Sequence, residues 1–464
     1  MSNQVANNSE SNSANRNVTM VLFHNDLRVA DNATLSKASK ISINGKLLLV
    51  YASSLTDILD DKDHYDAYRY EAMGRARQQF LHESLADLNA SLMQRDNRLL
   101  YLQKGDEALD VFTQLSDLIA QQRVTDICIS QTADYNQNKV YDLLQAKYPE
   151  IQWHIQTTAT LFDELPLESL PKSFTQFRKQ IETDYDLLHA EKDIAIFPTP
   201  ETLAPLPDNM QSRNECFFES QLSSETEVNK TLKQASNFAG GELNGLKHLD
   251  AYFDSDAPST YKTTRNALDE WAHSTKFSAW LANGSLSVNT ILNRLRRYER
   301  DIIANDSTYW IWFELLWREY FYWYAVTHRQ KLFWFKGVAQ HAPSTQLDEN
   351  LLAQWKNGTT PYPIVNACMN QLRMTGYMSN RGRQLVASCF IHELRLDWRY
   401  GAAYFEQYLV DYDVGSNWGN WQYLAGVGAD PRGCRQFNLD KQTQQYDPNG
   451  NFIRQWQGNT QKSD

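Results

Sequence analysis

Residues 307–328 read STYWIWFELLWREYFYWYAVTH, and this stretch decides the fold of the second half of the chain. Its aromatic side chains recur at helical spacing, which predicts a long core helix on which positions 310, 314, 317 and 321 share one face. Glu314 lies among the rings of that face. Because a carboxylate is rarely buried without a partner, we expect Glu314 to be a hydrogen-bond acceptor that faces a cavity.

The helical pattern continues on both sides of this stretch. From about Glu225 to Arg435 the chain is rich in long helical segments such as SVNTILNRLRRYER (287–300) and GRQLVASCFIHELRLDWRYGAAYFEQYLV (382–410). These segments predict an all-α carboxyl-terminal domain, residues 225–464.

The first half of the chain shows β-rich runs that alternate with helical stretches. The runs are VTMVLF (18–23), KLLLVYA (46–52), NRLLYLQ (97–103), DICIS (126–130) and WHIQTTATLF (153–162). This alternation predicts an α/β domain with an open parallel, Rossmann-like sheet over residues 18–164. A proline-rich stretch, residues 165–224, predicts a connector that crosses the surface. Residues 1–17 are small and polar, and we expect a disordered lead-in.

The composition excludes several functional classes. The 464 residues include 45 Lys+Arg and 56 Asp+Glu, a net charge of −11, so nucleic-acid contact requires a local basic patch. The five cysteines form no CxxC pair, which favours a reducing compartment and argues against disulfides or a metal site. No secretion signal and no run of about 18 apolar residues is present, so we expect a cytoplasmic protein outside the membrane. No glycine-rich nucleotide loop follows a strand.

Three short segments carry groups suited to ligand binding. In SNRGRQ (379–384), Asn380 can cap a helix while Arg381 and Arg383 grip a phosphate or carboxylate, and a solvated helix start is an equal alternative. In STKFS (274–278), hydroxyls and N–H groups at a helix start suit a diphosphate, although such runs are common caps. In DYDVGSNWGNWQY (411–423), we expect a loop that presents polar groups to a planar heterocycle, whereas spacing alone favours an ordinary turn.

Together these segments resemble the photolyase and cryptochrome family, and specifically its DASH branch. The resemblance extends over nearly the whole chain after the lead-in. It includes FHNDLRVADN (23–32), FTQFRKQIE (174–182), STKFSAWLANGSLS (274–287), ELLWREYF (314–321), TGYMSNRGRQLVAS (375–388) and FNLDKQTQQYDPNGNFIRQW (437–456). The resemblance implies an α/β domain joined to a helical domain that binds FAD.

The resemblance also implies a set of cofactor contacts. Arg383 pairs with Asp411 beside the isoalloxazine ring, Asp413 approaches its pyrimidine edge, and Asn417 faces flavin N5. The residues expected to hold FAD are Tyr261, Ser274, Thr275, Lys276, Phe277, Ser278, Arg318, Asn380, Arg383, Asp411, Asp413 and Asn417.

A chain of tryptophans is expected to relay electrons to the flavin. Trp421 and Trp398 match the inner and middle members of the family's triad. The outer position carries Thr345, which leaves Trp334, Tyr400 or Tyr423 as candidates for the electron exit.

The resemblance implies light-driven repair of cyclobutane pyrimidine dimers by a carbon–carbon lyase, a deoxyribodipyrimidine photolyase, with Glu314 at the dimer bases. Duplex-repairing relatives have Met and Trp at two wall positions that carry Gln384 and Tyr423 here, so we expect a preference for single-stranded DNA. The expected substrate-binding residues are Glu314, Trp317, Asn380, Arg381, Gln384 and Tyr423.

Three further expectations concern partners and a second chromophore. Arg381, Arg395 and Arg399 are candidates for a local positive patch. A folate antenna, 5,10-methenyltetrahydrofolate, is expected at Asp134, although His24 replaces the arginine usual in the opening motif, and an empty or altered pocket is the alternative. The alternative to repair is a blue-light receptor that signals to a partner, RNA or duplex DNA, and in either case we expect a monomer.

Overall fold

The computed structural model describes residues 17–59, 73–104, 110–190, 192–210, 237–428 and 436–459. The expected lead-in lies outside these residues except for Asn17, as does the end of the expected connector, residues 211–224. The strands are β1 (Val18–Phe23), β2 (Lys46–Ala52), β3 (Leu99–Leu102), β4 (Val124–Ser130) and β5 (Gln152–Gln156).

The described helices fall mainly in the second half of the chain. They are α1 (Ala33–Ile41), α2 (Arg75–Met93), α3 (Val111–Gln122), α4 (Tyr135–Lys147), α5 (Phe174–Asp184), α6 (Glu242–Phe253), α7 (Ala257–Thr264), α8 (Ser278–Ala282), α9 (Val288–Asp301), α10 (Asp306–His328), α11 (Glu349–Asn357), α12 (Pro363–Thr375), α13 (Asn380–Ser388), α14 (Trp398–Tyr408), α15 (Val414–Leu424), α16 (Leu439–Tyr446) and α17 (Asn451–Gln455).

The predicted parallel sheet is confirmed. Its strand order is β3-β2-β1-β4-β5, and every neighbouring pair is parallel. The strand order reverses at β1, which has β2 on one side and β4 on the other. Parallel sheets bind ligands outside the carboxyl ends of strands at such a reversal, so the fold offers a crevice there.

The helical half has its own large core, and α10 runs through it. Its start is a capping box, because the Asn305 side chain accepts from the backbone of Thr308 and the Thr308 hydroxyl accepts from the Asn305 N–H. The rings of Trp312, Tyr320 and Trp323 are buried on this helix. The predicted aromatic core helix is therefore present, within one or two residues of its expected ends.

The predicted loop at residues 411–423 is wrong for most of its length. Asp413 caps α15 by accepting a hydrogen bond from the Ser416 N–H at 2.8 Å, and the chain is helical from there to Leu424. The glycines of this segment serve helix packing, because a Cβ at Gly415 would lie 2.5 Å from the Phe321 carbonyl oxygen. These glycines allow α15 to approach α10 closely. They are not needed for loop conformations, as the sequence had suggested.

A buried arginine joins the sheet to the helical half. Arg28, in the segment after β1, donates hydrogen bonds to the carbonyl oxygens of Gly284 and Thr158, each at 2.8 Å. Glu242, at the start of α6, accepts from the Val29 N–H at 2.7 Å. These contacts connect the opening motif to residues far away in the sequence.

Replacing Arg28 with Met should lower the free energy of unfolding by about 3 kcal/mol, because the buried carbonyls it serves would lose their donors. Urea unfolding followed by circular dichroism measures this change. Arg297→Met is the matched control, since its side chain is 50% exposed and its ion pair with Asp193 is long at 3.5 Å. Equal unfolding midpoints for the two variants would contradict the prediction.

Glu319 on α10 is a second buried polar group, and it accepts hydrogen bonds from the Leu161 N–H and the Trp323 indole. Burial raises the pKa of this carboxyl from 4.5 to about 7. Between these values the folded protein keeps a proton that the unfolded chain has lost, so stability should fall as pH rises, by about 3 kcal/mol in total. Unfolding midpoints across that range should show this loss relative to Glu319→Gln, which cannot titrate there, and parallel curves would contradict it.

Candidate functional site

A cavity of about 520 Å³ lies in the helical half, between α7, the segment before α8, α10, α13 and α15. It brings together most of the residues singled out from the sequence. The expected site residues that line it are Tyr261, Ser274, Thr275, Lys276, Phe277, Ser278, Glu314, Trp317, Arg318, Asn380, Arg383, Gln384, Asp411, Asp413 and Tyr423.

The α10 face predicted from helical spacing forms one wall of this cavity. Trp310, Glu314, Trp317 and Phe321 all line it. Trp317 is held by Phe174 of α5, on which it stacks with ring centroids 3.7 Å apart and planes 13° apart. The wall therefore offers flat rings around a single carboxyl group, an arrangement that suits stacked planar ligands.

Glu314 is paired with a cation that the sequence analysis did not assign to the site. Arg265, at the end of α7, donates to Glu314 Oε1 at 2.5 Å. The Glu314 side chain is 31% exposed, but it faces the cavity, and burial raises its pKa while the Arg265 charge opposes that shift. The partners are 49 residues apart, so no local spacing could have paired them.

The opposite wall contains the ion pair that the family resemblance implies. Arg383 Nη2 lies 2.9 Å and 2.8 Å from the two carboxylate oxygens of Asp411. The Ser278 hydroxyl donates to Asp411 Oδ2 at 2.7 Å. The expectation that Asn380 caps the helix is wrong, because Ser379 accepts from the Gly382 N–H and Asn380 is the first residue of α13. The extended backbone at Ser379 directs its hydroxyl to that N–H.

Lys276 is a buried cation in the same cavity. The residue is only 7% exposed and has φ of 55°, in the left-handed region. Its Nζ lies 3.4 Å from the Tyr377 hydroxyl and 4.7 Å from the centre of that ring. Across the described ranges of the chain, no acidic side chain forms an ion pair with it. A buried ammonium group requires an opposite charge, so the cavity fits an anionic ligand such as a diphosphate.

Asn417 and Trp421 are not among the residues that line the cavity, and both lie on α15. Asn417 on α15 donates from Nδ2 to the Ala402 carbonyl at 2.9 Å, which fixes the orientation of its amide. Trp421, one turn later, packs against Gly401, where a Cβ would lie 2.3 Å from Cη2 of the indole. Trp398 begins α14 three residues before Gly401, so it lies about one turn of that helix from the point where Trp421 packs.

The three candidates for the electron exit fall in different places. The Trp398 indole donates to the Phe335 carbonyl at 3.1 Å, next to Trp334 in the sequence. Tyr423 lines the cavity, whereas Tyr400 lines a second cavity described below. Thr345 precedes Gln346, which forms an isolated bridge with Leu396. The bridge therefore brings this position near Leu396, two residues before Trp398, but the Thr345 side chain has no ring.

Two of the three arginines proposed for a positive patch contact other side chains. Arg381 does not line the cavity, since its Nη2 donates to Asn266 at 3.1 Å and its guanidinium lies 4.7 Å from the centre of the Tyr446 ring. Arg399 pairs with Asp397 at 2.6 Å. Only Arg395 of the three is exposed. Arg265, which the sequence analysis did not assign to the site, does line the cavity, where it pairs with Glu314.

A second cavity, of about 710 Å³, lies where the strand order reverses. His24 follows β1 and Asp134 follows β4, and both line it together with Arg77 of α2. Asp134 Oδ1 accepts from the N–H groups of Asn136 and Gln137, and within the described ranges no hydrogen bond reaches its other oxygen. Burial lowers the pKa of His24, against the opposing effect of the Asp134 and Asp26 charges.

The comparisons with known proteins agree with this arrangement. Residues 19–201 match the family model described as DNA photolyase, and residues 310–463 match the FAD binding domain of DNA photolyase. In the part of the chain that the structure describes, no helix is long and apolar enough to span a membrane.

Curated relatives and solved structures match over nearly the whole chain. Proteins named Cryptochrome DASH from Idiomarina loihiensis and Vibrio parahaemolyticus are 46% and 48% identical, covering 95% and 96% of this chain and 92% and 94% of theirs. The Synechocystis sp. PCC6803 cryptochrome structure has a TM-score of 0.79 at 35% identity, with coverage of 95% and 89%. A class III photolyase from Agrobacterium tumefaciens has a TM-score of 0.77 at 26% identity, with coverage of 97% and 88%.

Proposed function

The chain belongs to the DASH branch of the photolyase and cryptochrome family, and from this premise we propose that it repairs cyclobutane pyrimidine dimers with light, preferring single-stranded DNA. One observation supports this proposal most strongly: Glu314 and the aromatic rings around it line the same cavity as the ion pair of Arg383 and Asp411. FAD, when bound and reduced, supplies the electron that opens the cyclobutane ring under light.

The residues of this chain bind and orient the two ligands. Ser278, Arg383 and Asp411 hold the flavin end of the cavity through their hydrogen bonds. Lys276 supplies a cation for the diphosphate. The Asn417 amide donates from Nδ2 to a backbone carbonyl, and this bond orients its Oδ1, which is proposed to accept from a protonated flavin N5.

Replacing Lys276 with Gln should weaken FAD binding about tenfold to a hundredfold, because a buried charge-assisted contact with the diphosphate is lost. Titration of the apoprotein with FAD, followed by quenching of flavin fluorescence, measures the change. Lys179→Gln is the matched control, since this lysine is exposed on α5. An unchanged affinity in Lys276→Gln would show that the diphosphate lies elsewhere.

The dimer end of the cavity is proposed to read the bases through Glu314 and to stack them on Trp317. Tyr423 and Gln384 also line this end. A tyrosine ring and an amide give less stacking surface than the Trp and Met expected in a duplex-repairing enzyme, so less energy is available to extract a dimer from paired DNA. A single strand needs little such energy, and it is therefore the proposed substrate.

Illumination of the chemically reduced holoprotein with dimer-bearing oligonucleotides tests the proposal. We expect rapid repair of a single strand and slower repair of the same lesion in a duplex, measured as recovery of thymine absorbance. Equal rates on both substrates would remove the single-strand preference. No repair of either substrate, with FAD bound, would favour the blue-light receptor instead.

We propose that the second cavity holds a folate antenna through Asp134. A pterin ring presents adjacent N–H donors, and a carboxylate with one oxygen left to accept suits them. The absorption spectrum of the purified protein tests this assignment, because bound methenyltetrahydrofolate adds a band that FAD lacks. Loss of that band in Asp134→Ala, with the flavin bands unchanged, is the expected result.

A further inference from the structure

Trp418 lies next to the expected electron relay, and neither the tryptophan triad nor the cavity includes it. Its side chain is fully buried on α15. Its ring meets the Trp398 ring edge to face, with centroids 5.8 Å apart. The outer triad position holds Thr345, which cannot be oxidised in place of an indole, so Trp398 needs another neighbour to receive the positive charge.

The two indoles differ in what their N–H groups contact. Trp398 donates to a neutral backbone carbonyl, that of Phe335, at 3.1 Å. Trp418 Nε1 lies 3.2 Å from a carboxylate oxygen of Glu406 and 3.2 Å from the Tyr412 hydroxyl. A negative carboxylate stabilises a positively charged indole far more than a carbonyl does. Electrons should therefore leave Trp418 more readily than they leave Trp398.

The charges around Tyr412 favour a radical that stays on Trp418 and does not move on to Tyr412. The Arg77 guanidinium lies 4.7 Å from the centre of the Tyr412 ring and also donates to the Glu406 backbone carbonyl. A cation at this distance opposes the removal of an electron from Tyr412. Glu406, in contrast, is within reach of the Trp418 N–H and can accept its proton.

We propose that Trp418 is the terminal electron donor of the relay, with Glu406 as its proton acceptor. This proposal rests on the proposed roles of Trp421 and Trp398. Trp421 gives one electron to the photo-excited, oxidised flavin, Trp398 restores Trp421, and Trp418 restores Trp398. The oxidised Trp418 then loses its Nε1 proton to Glu406 and becomes a neutral radical. Return of the electron to Trp418 and of the proton from Glu406 closes the cycle.

Time-resolved absorption of the oxidised holoprotein after a light pulse tests the proposal, because neutral and cationic tryptophan radicals have different spectra. In the wild type we expect a neutral radical. In Trp418→Phe the radical should remain cationic and decay about tenfold faster. In Glu406→Gln the indole is intact, but the radical should stay protonated. Trp280→Phe is the matched control, since Trp280 is also buried and donates to a backbone carbonyl, that of Ala239.

The possible results distinguish a failure of the Trp418 proposal from a failure of the relay through Trp421. A neutral, long-lived radical in both Trp418→Phe and Glu406→Gln would overturn the proposal while leaving the Trp421 relay standing. If neither the wild type nor Trp421→Phe forms a tryptophan radical after the light pulse, the relay itself is wrong. Glu406→Gln keeps the test valid even if Trp418→Phe folds poorly, because only its carboxylate charge changes.

Discussion

Replacing Glu314 with Ala is expected to lower the rate of light-driven dimer splitting about a hundredfold, a loss of about 3 kcal/mol of stabilisation, with FAD still bound. Glu314 carries the carboxyl group of the aromatic wall that α10 forms. Its removal also leaves the Arg265 guanidinium without this ion-pair partner. The measurement is single-turnover repair of a single-stranded oligonucleotide by the reduced protein.

Two further variants separate the contributions of charge and hydrogen bonding at this position. Glu314→Gln keeps the size and one acceptor, so it should retain part of the lost rate. Asp306→Asn is the matched control, because Asp306 is a carboxylate on the same helix with a side chain that is 86% exposed. Wild-type repair by Glu314→Ala would contradict the assigned role, and loss of FAD would show that the residue supports the cofactor instead.

The second large effect is expected from Trp421→Phe, which should slow the light-driven reduction of bound FAD about a hundredfold or more. Phenylalanine fills most of the space against Gly401 but is much harder to oxidise than an indole. The flavin absorption spectrum during illumination with a thiol measures the rate. Repair by protein that was first reduced chemically should be unchanged, because that reaction does not use the relay.

Trp280→Phe serves as the control here too, since it removes a buried indole whose ring packs on Phe80, Phe238 and His248. It should leave the light-driven reduction of FAD at the wild-type rate. Equal slowing in both variants would indicate that repacking of the core, and not the loss of the electron donor, causes the effect. Unchanged reduction in Trp421→Phe would remove Trp421 from the relay.

Much of the fold follows from local patterns. Strand runs separated by helices indicated a parallel sheet, and the 3.6-residue period placed Trp310, Glu314 and Trp317 on one face of a helix. The prediction failed at residues 411–423 because glycines suggested a loop. Gly415 and Gly419 are instead needed where α15 touches Phe321, a contact far away in the sequence that no local pattern reveals.

The candidate site shows the same division between local and distant information. Motif segments identified Arg383 and Asp411 through family resemblance, and the two side chains do meet. The pairing of Arg265 with Glu314 and the position of Tyr377 beneath Lys276 depend on how distant helices pack. Arg381, for which ligand binding and a solvated helix start were equal alternatives, does not line the cavity, because its guanidinium contacts Asn266 and Tyr446.

The most direct test of the central claim is a single flash of light on the chemically reduced holoprotein bound to a single-stranded oligonucleotide that carries one thymine dimer. We expect the dimer to be split into two thymines while the flavin spectrum before and after the flash is the same, because the electron returns. A dimer that stays intact, or a flavin left oxidised for every dimer split, would contradict the account.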